Sequence, residues 1–179
     1  TDQIETRSLV EEPLVENGNV VSDTKRDILK LAVIERHHAS GNIGLGLVSG
    51  FGLKKGSLAS SVGHDSHNII VVGTNDLDMI SAIKRLSEIE GGVVAVEDQK
   101  VKAELSLPVA GLMSDQPLTH VKEKLGILHH EAKKLGCIID DPFMTLSFLP
   151  LPVIPSLKLT DKGLVDVEKF QLVDMFVNN

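Results

Sequence analysis

The sequence predicts an α+β domain, with a mostly antiparallel sheet or sheets flanked by two main amphipathic helices. Three observations carry this reading. Strand-like runs outnumber helical ones, hairpin-like links join neighbouring runs, and two segments hold apolar residues at helical spacing. No repeat of 20–50 residues underlies the pattern.

Residues 1–24 are polar and acidic, with Pro13 and an Asn17-Gly18-Asn19 turn signal. They read as an N-terminal arm or linker carrying one short strand, at Leu14 or at Val20-Val21, before a domain over 25–179. The run 27–36 is rich in β-branched residues and precedes a glycine-rich stretch, which favours strand over helix. Along 42–52, Gly44, Gly46, Gly50 and Gly52 share one face by period two, and Leu45, Leu47, Ser49 and Phe51 share the other. A bare glycine face admits either a packed backbone or a flat ligand. It does not match the dinucleotide pattern GxGxxG. A small-residue strand follows over 57–63. Then Ile69-Ile70-Val71-Val72 is apolar on both faces and belongs at the centre of a sheet.

Asn75 is placed to cap a helix whose first turn holds Asp76 and Asp78. Leu77, Met79, Ile80, Ile83, Leu86 and Ile89 keep helical spacing, and Gly91-Gly92 ends the element. Residues 93–97 and 101–105 form a hairpin across Asp98-Gln99. A two-residue turn of type I′ prefers glycine at its second site, so a longer or bulged turn is expected. A second helix starts at a Ser114 or Asp115 cap with Pro117 in its first turn, and Gly136 stops it. Leu118, Val121, Leu125, Leu128, Ala132 and Leu135 are its apolar stripe. From Asp140 onward, Pro142, Pro150, Pro152 and Pro155 predict short strands and rigid turns with no helix.

Composition narrows the function. The 179 residues suffice to bury about 70% of the unfolded surface, and 42% hydrophobic with 24% charged residues is a globular balance. A net charge of -7 disfavours nucleic-acid binding, which needs a basic stripe. Five Phe, no Trp and no Tyr leave little material for stacking bases or sugars. The lone Cys137 excludes an internal disulfide and a cysteine-rich zinc site. No apolar run approaches 18 residues, and the first residues are not a signal peptide, so the expected location is the cytoplasm, away from membranes. The chain starts with Thr1 instead of Met, which points to a piece of something longer.

Chemistry concentrates in His64-Asp65-Ser66-His67-Asn68, just before the buried 69–72 strand. His64 and His67 can share a metal if the turn folds them together, with Asp65 orienting one ring, or the cluster can be a hydrogen-bonded turn. Neither adjacent pair, His37-His38 or His129-His130, easily points both rings at one centre. His38 is the better candidate of the first pair, while His129 and His130 read as solvated helix positions. His120 is the seventh histidine to be tested as a metal ligand. Ser60-Ser61 lacks a local base, no G-x-S-x-G elbow occurs, and Cys137 after a helix end reads as inert. Asp140-Asp141 fits turn chemistry beside Pro142, and Lys54-Lys55 fits solvated surface.

Five blocks resemble the C-terminal region of bacterial adenine deaminases. They include Glu35-Arg36-His37-His38-Ala39-Ser40-Gly41-Asn42, Gly63-His64-Asp65-Ser66-His67-Asn68, Leu107-Pro108-Val109-Ala110-Gly111, Asp140-Asp141-Pro142-Phe143-Met144 and Lys158-Leu159-Thr160-Asp161-Lys162-Gly163. The likeness spans roughly 27–170. It implies a metal-dependent amidohydrolase converting adenine and water to hypoxanthine and ammonia, with manganese or iron activating water in a (β/α)8 barrel. The barrel's His-x-His opening ligands are absent, and the chain is shorter than the about 250 residues a barrel needs. The resemblance therefore implies the domain that follows the barrel in the same polypeptide, inactive alone and holding no metal itself, within a homo-oligomeric parent enzyme. His64, Asp65 and His67 are its catalytic candidates. His38, Asn42, Ser66 and Asn68 are candidates to bind the purine. An oligomerisation or interaction module, or an independent purine-binding module, are the competing roles.

Overall fold

The computed structural model describes residues 4–177. A six-stranded sheet organises them, built from β3 (Leu29–Ile34), β4 (Ile43–Val48), β5 (Ser57–Ser60), β6 (Ile69–Gly73), β7 (Gly92–Glu97) and β8 (Lys100–Ser106). Its order is β4-β3-β6-β5-β7-β8, and every neighbouring pair is antiparallel. β6 and β5 are therefore central, β6 as its two-sided apolar run predicted. β6 and β7 both run antiparallel to the intervening β5, and α1 (Asp76–Glu88) crosses over β5 to connect them.

Each face of this sheet has its own core. Ala32, Ala59, Ile69, Val71, Val94 and Val96 pack under Met79, Ala82 and Leu86 of α1. On the opposite face, Leu31, Val33, Leu58, Ile70, Val72, Ala95 and Leu105 meet α2 (Leu118–Lys134) and α3 (Pro142–Phe148). Alternate residues of β6 thus feed different cores, which is why no position of that strand is polar. The arm carries β1 (Leu14–Glu16) and β2 (Asn19–Val21), paired to each other, so both predicted strand positions are occupied. A third sheet, β11-β10-β9, uses β9 (Leu157–Thr160), β10 (Gly163–Asp166) and β11 (Gln171–Val173).

Five local expectations are corrected. The tail does contain a helix, α3, because Asp141 accepts the Met144 N–H at 3.1 Å and Pro142 occupies the first helical turn, where its missing N–H is harmless. Neither Ser114 nor Asp115 caps α2. Pro117 holds the cap position with φ -57°, and no side chain bonds there. The hairpin turn is tight: Glu97 pairs with Lys100, and Asp98 and Gln99 have φ of 52° and 61°. Asp78, buried in α1, accepts the Gln99 N–H at 2.6 Å and helps hold that left-handed residue, while the irregularity lies further in, at Ala95 and Val96. Gly50 and Gly52 leave the glycine face, because both N–H groups turn onto the Asp27 carboxylate at 2.7 Å. His129 is not merely solvated. It stacks on Phe143 with ring centres 6.0 Å apart and lies 3.5 Å from Asp141.

The remaining glycine face settles its own question. A Cβ on Gly44 would strike the backbone carbonyl of Thr160, and one on Gly46 would press Leu159. The glycines let the β9–β10 hairpin lie directly on β4. Gly136 ends α2 as expected, with the Cys137 N–H reaching Ala132 and the Gly136 N–H reaching Lys133.

Candidate functional site

Four connections and the end of α3 meet at one end of the large sheet. Beyond β3, the Glu35 carboxylate accepts the N–H of His37, the N–H of His38 at 2.8 Å, and both N–H and O–H of Ser40 at 3.1 and 2.9 Å. The Ser40 N–H, with those of His37 and His38, holds Glu35 well below the usual carboxylate range, at about 2. One side chain thus shapes the whole 37–40 loop. Next to it, Arg36 donates from Nε to the His67 carbonyl at 2.5 Å and from Nη2 to the Ala110 carbonyl at 2.7 Å. His37 donates from Nε2 to the Ser66 carbonyl at 2.7 Å, which requires the proton on that nitrogen.

The loop between β5 and β6 is fixed from below. Ser61 donates to the Gly111 carbonyl at 2.6 Å and accepts the Gly92 N–H at 2.7 Å. The His64 N–H reaches Ser147 in α3 at 2.8 Å, and the His67 N–H returns to Gly63 at 2.6 Å. The His64 ring lies 4.7 Å from Phe148 and 5.8 Å from the His67 ring, centre to centre. Burial, followed by the neighbouring His64 and Arg36, lowers the pKa of His67, which favours the neutral imidazole. Its Nδ1 is buried and finds no hydrogen-bond partner among the described residues; the same holds for Oδ1 of Asn68.

Asp161, at the β9–β10 turn, joins two of the predicted residues. Its Oδ1 accepts from Asn68 Nδ2 at 3.1 Å and its Oδ2 from Asn42 Nδ2 at 3.3 Å. Asn68 and Asn42 are thereby joined, and His64 and His67 stand in the same loop as Asn68. Asp65 is exposed, Ser66 serves through its carbonyl, and His38 joins through its backbone N–H. Glu35, Arg36, Asp161 and Phe148 were not among the sequence candidates, and His37, ranked below His38, is the one of that pair whose ring joins the cluster. Glu35, Arg36 and His37 adjoin His38 in sequence, which was the available signal. Asp161 lies 93 residues from Asn68 and reads locally as an ordinary turn.

The donor set does not suit a divalent metal. Among the described residues, no three His, Cys, Asp or Glu side chains lie where they could hold one, and the Arg36 cation sits against His67. What the end of the sheet does offer is a neutral imidazole, two amides turned by one carboxylate, and an aromatic edge. Groups of this kind can bind and orient a small polar molecule or dock a second polar surface.

Fold and site together define an antiparallel α+β domain that presents a polar loop cluster at one sheet end. Residues 3–171 match the adenine deaminase C-terminal domain family, and the chain belongs to that family. It is 56% identical over 175 residues to an adenine deaminase of Desulfatibacillum aliphaticivorans, covering 98% of this chain and 31% of that protein. Adenine deaminases of Dehalococcoides mccartyi and Brucella anthropi are 55% and 53% identical over 96% of this chain. The chain spans about 30% of the length of these curated relatives. No helix among the described residues is long and apolar enough to cross a membrane.

Proposed function

We propose that this domain serves as the accessory to a metal-dependent amidohydrolase barrel in a cytoplasmic adenine deaminase, which converts adenine and water to hypoxanthine and ammonia. The end of the sheet bearing His64, Asp65, His67, Asn68 and Asn42 faces the mouth of that barrel. The observation that carries the reading is the convergence of four of the five family-like blocks, together with the end of α3, at this end, where buried polar atoms of His67 and Asn68 have no partner among the described residues. A buried polar atom without a partner costs about 1–3 kcal/mol, so these two favour an environment that completes them.

Manganese or iron bound in the barrel supplies a water of lowered pKa. This chain's residues do not fit such a metal, and no step of water activation runs through them. Their work is positional. Neutral His67 offers one ring nitrogen as donor or acceptor, the Asn42 and Asn68 amides offer acceptors, and His64 against Phe148 closes off solvent.

The test is made in the full-length, metal-loaded enzyme. His67→Ala is expected to lower kcat/KM for adenine on the order of tenfold or more, with circular dichroism and thermal unfolding close to wild type. Asp65→Ala is expected to act in the same direction. Unchanged turnover in both variants would overturn the reading. Exposed Phe170, Leu172, Phe176 and Val177 favour a second reading, an assembly module. That reading predicts that polar substitutions there dissociate subunits of a homo-oligomer while His67→Ala leaves turnover intact. Residues 1–179 alone, loaded with manganese, are expected to show no adenine turnover.

A further inference from the structure

We propose that Asp161 is a positioning residue that gives the site its preference for an amino-bearing purine over the oxo product. The inference rests on the function proposed above. A carboxylate presents only acceptors, so each amide bonded to it must turn its NH2 inward and its oxygen away. Asp161 does this twice, to Asn68 at 3.1 Å and to Asn42 at 3.3 Å. Asn68 is 3% exposed, and its Oδ1 lies without a partner among the described residues. Asn42 is exposed and turns its oxygen away from the same carboxylate. One charge thereby orients two amides from two different loops, each with its oxygen turned away from the carboxylate as an acceptor.

Deamination reverses the polarity that such acceptors read. The C–N bond to the exocyclic amino group breaks, a C–O bond forms, and ammonia leaves with the amino nitrogen. A group that donated hydrogen bonds becomes a carbonyl that accepts them. Fixed acceptors favour the first and repel the second, because neither amide can rotate to offer its NH2 while Asp161 holds it. The chain can thus discriminate substrate from product without touching the metal.

The test compares the KM for adenine with the inhibition constant for hypoxanthine in the full-length, metal-loaded enzyme. In Asp161→Asn the new residue offers one acceptor and one donor, so one of the two neighbouring amides must turn over. The ratio of hypoxanthine Ki to adenine KM is expected to fall on the order of tenfold. The double variant Asp161→Asn/Asn68→Asp restores every bond. The residue at 161 donates to Asp at 68 and accepts from Asn42, and the second oxygen at 68 still faces away as an acceptor. It is expected to recover the wild-type ratio. A merely structural role would weaken both ligands together. A ratio unmoved in Asp161→Asn, or moved there and not recovered in the double variant, would overturn the proposal. If Asp161→Asn fails to fold, Asp161→Ala takes its place: it releases both amides to rotate, so a fall in the ratio supports the assignment and an unmoved ratio refutes it. Wild-type enzyme unable to deaminate adenine would instead refute the underlying function, and that is seen before any variant is made.

Discussion

Gly44→Ala tests the contact on which the site's geometry depends. The glycine lies in edge strand β4, where an added methyl would strike the Thr160 carbonyl and come within 3.4 Å of the Gly163 nitrogen. Both obstacles are backbone, so no rotamer change relieves them. Overpacking typically costs about 1–3 kcal/mol, and a contact between two backbones belongs at the upper end. Replacing a strand glycine returns roughly 0.5–1 kcal/mol, which leaves a net loss of about 2 kcal/mol. With a urea m-value of roughly 1–3 kcal/mol/M, the midpoint should fall by about 1 M. Gly46→Ala meets only the Leu159 methyls, at 3.3 Å, and should cost less than half as much. Gly126→Ala in α2 meets nothing within 4 Å and should stabilise by about 0.5–1 kcal/mol. These variants separate a steric loss from a generic glycine effect. A Gly44→Ala midpoint within about 0.2 M of wild type, outside the loss worked from the overpacking range, would refute the packing of β9 and β10 on β4. With that packing would go the placement of Asp161.

Three further outcomes follow from the same structure. Gln99→Gly relieves a left-handed residue while keeping the backbone N–H that Asp78 accepts, and should raise stability by about 1 kcal/mol, read as a higher melting temperature. Glu35 has its pKa lowered to about 2, so its contribution is complete above the unfolded carboxylate range and fades as pH falls toward 2; Glu35→Gln should flatten stability over that window in urea titrations at successive pH values. Lys158, fully buried in β9 and donating to the Ile4 carbonyl at 2.7 Å, has its pKa pushed down to about 8 by burial. The unfolded chain therefore holds this proton more tightly, stability should rise between pH 8 and the ordinary lysine range, and Lys158→Met should abolish that rise without destabilising the protein at pH 7.

Most of the fold was legible because its signals are local. A two-sided apolar run cannot be anything but a central strand here, and Asn75, which accepts the Asp78 N–H at 2.9 Å, announces its helix without tertiary help. The failures share a different cause. Pro142 looks like a breaker until Asp141 is seen capping beside it, and Gln99 looks wrong for a tight turn until Asp78 arrives from α1. Gly50 and Gly52 keep the sequence alternation but belong to Asp27 instead of the strand. In each case a side chain bonded to backbone overrides the residue's own preference.

The site divides along the same line. His64, His67 and Asn68 stand in one dense segment, so sequence alone gathers them. Their chemical character comes from distant partners: Arg36 fixes the carbonyl of His67 from 31 residues away, and Asp161 fixes the amide of Asn68 from 93. Residue type says that an asparagine can donate or accept, but only the carboxylate beside it decides which face it shows. The β9–β10 hairpin that supplies this carboxylate reaches the site because Gly44 and Gly46 leave room for it. The glycine face, covered by that hairpin, thus acts one step removed. It binds nothing itself, yet it seats the residue that sets the hydrogen-bond polarity of the amides opposite.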